Sequence, residues 1–323
     1  MPSALLFDVG DVLLESSWVV LDALEQRTGR RIHGRGPLDP AGDPAWQRCL
    51  AGEIEVDEYW NQLANSGGYA DRIELWRALS DELGHDVFAD DALALVDEAR
   101  AAGIKVGILS NDLYRASGRD WVESRPELSG FDALVDCTEF GERKPAPAPY
   151  LKAAADLGVP PNEIVFLDDT PYCIEGARAV GMLAVPVDPL ARSHAFAVAR
   201  RLVGLTPPRP ADALVAEVER TYRAGDLGAM SALLHPDVVI YWDGHKVAEG
   251  LVPAGHFYQR LFGDVADAQI TTRAVDGDTV AIEWESATAE TPRVAAELWT
   301  LRYGLLIEVR GYEHRVENRG GSR

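Results

Sequence analysis

Residues 4–14 read ALLFDVGDVLL and residues 164–171 read IVFLDDTP. Each is a short apolar run that stops at an aspartate and then turns. Apolar runs of this length without polar alternation fit strands buried on both faces, and their terminal polar residues then share one edge of the sheet. Three more runs extend the pattern: IKVGIL at 104–109, followed by Ser110 and Asn111, and shorter segments at 133–135 and 183–187. Helical patterns separate them. One starts at Ser16 or Ser17 and stops at Gly29; another is capped by Asp90 and carries Leu93, Val96 and Ala99 on one face before Gly103. Others lie around 149–157 and 175–180, with Thr170 and Pro171 suited to the cap and first position of the last. Strands alternating with helices predict an α/β fold with a doubly wound parallel sheet that takes ligands at the carboxyl ends of its strands.

Between the first helix and the second strand lie about 60 residues, too many for an ordinary crossover. They contain Trp46, Trp60 and Trp76 and read helical, so an inserted helical lid is expected over roughly 15–88. Residues 204–211 include three prolines and read as a linker. They split the chain into domains of 1–203 and 212–323. The second domain begins with a helix bearing Leu214, Val218 and Tyr222 on one face. A short helix, a strand VVIYW and the helix PAGHFYQRLF follow, then alternating segments at 269–275, 279–285 and 293–303 and a last strand LLIEVRGY. With Asp276-Gly277 as a hairpin signal, this unit reads as α+β with an antiparallel sheet.

The 323 residues carry 52 Asp and Glu against 31 Lys and Arg, a formal charge of −21. No basic stripe is present to displace counterions from phosphates, which argues against nucleic acid or an anionic membrane as partner. An anionic substrate would need a mediating cation. No apolar run approaches a membrane span and no secretory leader is evident, so a cytoplasmic protein is expected. Cys49, Cys137 and Cys173 are far apart and outside any CxxC spacing, which indicates neither a disulfide framework nor a zinc site.

The polar residues at the strand ends form an ordered set: Asp8, then Ser110 and Asn111, then Lys144 in GERKP, then Asp168 and Asp169. A carboxylate can attack phosphorus to form an acyl phosphate, a carboxylate pair can hold a hard cation, and a lysine can bind phosphoryl oxygens. The order and placement resemble the haloacid dehalogenase (HAD) superfamily, and the helical insertion resembles the cap of its subfamily I. The resemblance covers about 200 residues and implies a Rossmann-like core. It also implies a Mg²⁺-dependent phosphohydrolase acting on a small phosphorylated metabolite through an aspartyl phosphate. Asp8 would be the nucleophile, with Lys144 as the second catalytic residue. Ser110, Asn111 and Lys144 would bind phosphate, and Asp8, the backbone carbonyl of Gly10, Asp168 and Asp169 would hold the metal.

One position departs from the family. Its phosphatases place a second aspartate, the general acid and base, where this chain has Gly10. Loss of that group costs on the order of 10²–10⁴ in rate unless Asp11, a water or a good leaving group substitutes. Haloalkanoate dehalogenases also lack that aspartate, but they typically carry a bulky aromatic there and no metal, so 2-haloacid dehalogenation is the lesser expectation.

The second domain, through residues 222–244 (YRAGDLGAMSALLHPDVVIYWDG) and 297–314 (ELWTLRYGLLIEVRGYEH), resembles the SnoaL-like branch of the nuclear-transport-factor-2-like fold. That fold is a curved sheet wrapped by helices into a cone. Its members include cyclases, isomerases, small-molecule binders and dimerisation modules, which leaves a competing reading. In it the first domain is a catalytically weak scaffold, and the second binds a small molecule, pairs two chains into a homodimer, or acts as a cyclase or isomerase. Tyr241, Trp299 and Tyr303 could line a pocket, although core packing explains most of them. His235, Asp243, His245 and His256 show no histidine–carboxylate spacing, and HPD before a strand reads as a turn. No catalytic residue is assigned in this domain.

Overall fold

The computed structural model describes residues 1–39, 41–264, 268–286 and 293–315. The end of the expected second domain, residues 316–323, lies outside these. The chain divides into two compact units, Ser3–Met182 with Val187–Leu190, and Ala191–Arg323 with Met1–Pro2 and Leu183–Pro186.

The first sheet consists of β1 (Ala4–Phe7), β2 (Lys105–Ser110), β3 (Ala133–Asp136), β4 (Ile164–Asp168) and β5 (Leu183–Pro186), in the order β3-β2-β1-β4-β5. β1 runs parallel to both β2 and β4, and β2 parallel to β3. Every residue of β1 and β4 is buried, as both faces of a central parallel strand require. The chain adds β2 and β3 on one side of β1 and then crosses to place β4 on the other. The topological switch point therefore lies between β1 and β4, where the connections leaving the two strands run to opposite sides and leave a crevice. Asp8 follows β1 and Asp168 ends β4, so the two flank that crevice.

The first helix is Ser17–Thr28, closed by Gly29 in the left-handed region at φ 71°. The helix after the insertion is Asp90–Ala101, and Ala89, not Asp90, holds its cap position. The insertion contains helices Pro44–Leu50, Val56–Ser66 and Arg72–Leu83. Its interior is aromatic: Trp18 stacks on Trp60 with ring centroids 4.6 Å apart and meets Trp46 edge-on at 5.5 Å. The buried Asp43 accepts the Tyr59 hydroxyl at 2.7 Å and caps Pro44–Leu50 through the Trp46 N–H at 3.0 Å.

The second unit carries β6 (Leu234–Trp242), β7 (His245–Glu249), β8 (Gln269–Asp276), β9 (Thr279–Ser286), β10 (Arg293–Arg302) and β11 (Leu305–Arg315), in the order β7-β6-β11-β10-β9-β8. Helices Ala211–Ala224, Leu227–Ser231 and Leu251–Asp264 complete the expected cone-like α+β fold. Leu214, Val218 and Tyr222 face its core beside Ile282, Trp284 and Trp299.

Three local expectations change. The sheet is mixed, because β11 runs parallel to β6. His235-Pro236-Asp237 falls within the span of β6, in the irregularity between its Leu234–Leu306 and Val239–Glu308 pairings. Tyr303 leaves the strand at φ 56° and, with Gly304 at φ 70°, makes the two-residue turn between β10 and β11, where its ring stacks on His235 with centroids 6.2 Å apart. The β8–β9 hairpin forms as predicted one residue along, with Asp276 paired to Thr279 and Gly277-Asp278 as its loop.

One buried carboxylate was not visible in the pattern. Glu297 on β10 is 3% exposed and receives the Trp284 and Trp299 indole N–H groups at 2.6 and 2.7 Å. Burial pushes its carboxyl up, against the pull of those two donors.

Candidate active site

Asp8 leaves β1 with its N–H donating to Leu167 O at 2.9 Å, which ties the end of β1 to β4. The chain then makes one wide turn over Val9–Leu13, closed by the Leu14 N–H on Val9 O at 2.9 Å. Asp11 sits in this turn at φ 56°, a conformation that Asp tolerates better than most residues. Its Oδ1 accepts both the N–H and the hydroxyl of Ser17 at 2.7 Å. Ser16 holds the cap position of the first helix, but its side chain makes no cap bond and Asp11 supplies the acceptor instead.

Lys144 is the centre of the arrangement. Its ammonium donates to Asp8 Oδ1 at 2.8 Å and to Asp168 Oδ2 at 2.6 Å, and its side chain is 2% exposed. The other oxygen of Asp168 accepts the Thr170 N–H at 2.8 Å. Burial alone would lower the lysine's pKa, but the charges of Asp8 and Asp168 outweigh it and hold it well above the usual value. Burial pushes Asp8 up to about 7, with Lys144 pulling down and the Asp168 charge pushing up. Asp169 also stands well above the usual carboxylate range, through burial and then the charges of Asp11, Asp8 and Asp168.

The donor set fits a divalent cation. Ligand oxygens of Asp8, Asp168 and Asp169 lie within 4.8 Å of one another, and they are hard donors of the kind Mg²⁺ prefers. Mutual repulsion among these carboxylates is not cancelled by a single lysine, so the cluster favours a further positive charge.

The remaining expected residues surround this centre. Ser110, 6% exposed, ends β2. Asn111 follows it, but both ends of its amide engage Lys144: Oδ1 accepts the Lys144 N–H at 2.8 Å and Nδ2 approaches Lys144 O at 3.4 Å. Gly10 has φ −61° and ψ 132°, and a Cβ built there meets nothing within 4 Å. Cys173 is buried in helix Pro171–Ala179, and burial followed by the Asp168 charge pushes its thiol up, which suits a packing residue and not a nucleophile.

Gly176 is a positioning residue that sequence reasoning missed. A Cβ there would stand 2.7 Å from Pro145 O and 2.8 Å from the Tyr150 hydroxyl. Only glycine lets the helix after the acidic pair approach the Lys144-Pro145 segment this closely. A glycine inside a helical pattern was the available signal.

Residues 2–181 match the haloacid dehalogenase-like hydrolase family. The chain belongs to that family. Residues 215–311 match the SnoaL-like domain. A phosphatase of Mycobacterium tuberculosis is 31% identical over 196 residues, which is 58% of this chain and 87% of that protein. The phosphoglycolate phosphatase of Salmonella typhi is 25% identical over 175 residues, 54% of this chain and 61% of its own. Among solved structures, a HAD phosphatase from Thermococcus onnurineus is 23% identical with a TM-score of 0.40, covering 58% of this chain and 86% of that one. Among the described residues, no helix is long and apolar enough to cross a membrane.

Proposed function

We propose that this HAD-like unit is a Mg²⁺-dependent phosphohydrolase acting on a small phosphorylated metabolite. The observation that carries the reading is the convergence of Asp8, Asp168, Asp169 and Lys144 at the switch point of the sheet. An acidic cluster of this kind favours phosphate-ester hydrolysis over dehalogenation, which needs no cation.

In this reading Asp8 attacks phosphorus and forms an aspartyl phosphate, which water then hydrolyses. Mg²⁺, held by Asp8, Asp168, Asp169 and the Gly10 carbonyl, would neutralise charge on the phosphoryl oxygens. Lys144 orients the Asp8 carboxylate and offers its positive charge to the transferring group. Asn111 fixes the backbone of Lys144, and Ser110 stands at the strand end where a phosphoryl oxygen would bind. The helical insertion serves as the cap that excludes water and selects the substrate.

Phosphate release from a panel of phosphorylated metabolites, with and without Mg²⁺, tests the reading. Wild type should release phosphate on some members only with the cation, and Asp8→Asn should fall by at least about 10⁴, as loss of a covalent nucleophile does. Equal rates for wild type and Asp8→Asn on every substrate would refute it.

A further inference from the structure

The position two residues after the nucleophile is a glycine that the backbone does not require. Gly10 lies in a region open to any L-residue, and the space its Cβ would fill is empty. Its contribution is therefore the lack of a side chain, at the position where the family resemblance puts the general acid of the phosphatases. The neighbouring carboxylate is held to the first helix through one of its oxygens. Asp11 Oδ1 is committed to the N–H and hydroxyl of Ser17, both at 2.7 Å, so moving it toward Asp8 would uncap the first helix. The Lys144 ammonium is likewise engaged, by Asp8 Oδ1 and Asp168 Oδ2. Asp112, next to Asn111, is occupied by Arg72 at 2.9 Å and Arg143 at 3.4 Å.

We infer that the substrates of this site are activated phosphoryl compounds, whose leaving group departs as a stable oxyanion. Acyl phosphates, enol and aryl phosphates and phosphoanhydrides belong to that class, and phosphate esters of simple alcohols do not. The inference rests on the phosphohydrolase reading and narrows it. In the first step an Asp8 carboxylate oxygen bonds to phosphorus. The bond from phosphorus to the leaving oxygen breaks with its electron pair on that oxygen, which leaves unprotonated and takes its proton from water afterwards. In the second step a water oxygen bonds to phosphorus, the bond to the Asp8 oxygen breaks and restores the carboxylate, and the water's proton passes to solvent. An alkoxide is a poor leaving group without an acid, whereas a carboxylate, enolate, phenolate or phosphate needs none. The second step also lacks a base, so with activated substrates the aspartyl phosphate accumulates.

The full chain with Mg²⁺ is assayed on a series of monoesters running from 2,4-dinitrophenyl through 4-nitrophenyl and phenyl to a primary alkyl phosphate. Wild type should show kcat/KM falling steeply as the leaving group becomes more basic, and a burst of dinitrophenolate stoichiometric with enzyme. Gly10→Asp should raise kcat/KM on the alkyl ester by about 10²–10⁴, the usual worth of a general acid. On the dinitrophenyl ester the same variant should abolish the burst. Asp11→Ala should keep the wild-type slope. A flat wild-type profile, a Gly10→Asp profile as steep as wild type, or an Asp11→Ala profile steeper than wild type would overturn the inference while leaving the phosphohydrolase standing. A proton donor supplied from anywhere else in the chain would flatten the wild-type profile, so that measurement decides even if Gly10→Asp fails to fold. No turnover above Asp8→Asn on any ester, the dinitrophenyl compound included, would sink the phosphohydrolase reading and this inference with it.

Discussion

His235 has no exposed surface, its Nδ1 accepts the Asp237 N–H at 3.1 Å, and its Nε2 has no partner among the described residues. Protonation would break the one hydrogen bond and bury a charge. Burial, and then the nearby Arg302, pushes its pKa from 6.5 down to about 4. The folded pKa thus lies below the unfolded one, so its contribution is full above 6.5 and is lost as pH falls toward 4. The loss amounts to about 3 kcal/mol. Thermal melts of wild type and His235→Asn between pH 7 and pH 4.5 should show the steeper decline in wild type; parallel declines would contradict this. The same scale shows what single letters reveal. Asp8 and the acidic pair stand out because charge at the end of an apolar run is conspicuous, whereas Lys144, in GERKP, stands out only through the family resemblance. The cap made by Asp11, the hold of Asn111 on Lys144 and the burial of His235 and Glu297 are contacts across distance or facing choices. A carboxylate on the inner face of an alternating strand reads as a solvated one until its partners are known.

Helix Pro171–Ala179 shows how an element positions chemistry. Thr170 and Pro171 start it where predicted, directly after the acidic pair. Its register brings Gly176 against Pro145 O at the distance of backbone contact. Gly176→Ala forces the helix or the Lys144-Pro145 segment to move by several tenths of an ångström. A loss of about 1–3 kcal/mol in stability is expected for such overpacking. A fall in kcat exceeding any change in KM should accompany it, because Lys144 and the acidic pair are carried on the two parts that separate. Unchanged melting and kcat would show that the close approach is not needed. Elements of the first unit were largely legible because buried parallel strands are continuous apolar runs. The second sheet was legible as strands and less so as a sheet. Nothing local tells that β11 runs parallel to β6, since that pairing joins the first and last strands of the sheet in sequence. The Tyr303-Gly304 turn was hidden because an aromatic residue in the left-handed region is uncommon.

At the scale of the whole molecule, two units of different architecture carry one strongly acidic chain of net charge −21. That acidity argues against phosphate binding by a basic surface, and the proposed reading places it in the crevice between β1 and β4. There three carboxylates and a buried lysine leave an excess of negative charge, which in the proposed reading a divalent cation offsets so that an anionic phosphoryl group can enter. The order of motifs along the sequence was enough to locate this crevice, because a parallel sheet maps strand ends onto one edge. What the sequence could not show is which groups remain available to move protons, and that decides the class of leaving group. The central claim is that Asp8 becomes phosphorylated, and mass spectrometry of acid-quenched enzyme mixed with 2,4-dinitrophenyl phosphate and Mg²⁺ tests it most directly. A phosphate adduct on the peptide containing Asp8, absent in Asp8→Asn, is the predicted result. Turnover by wild type without any adduct on that peptide, or turnover at the wild-type rate by Asp8→Asn, would contradict it.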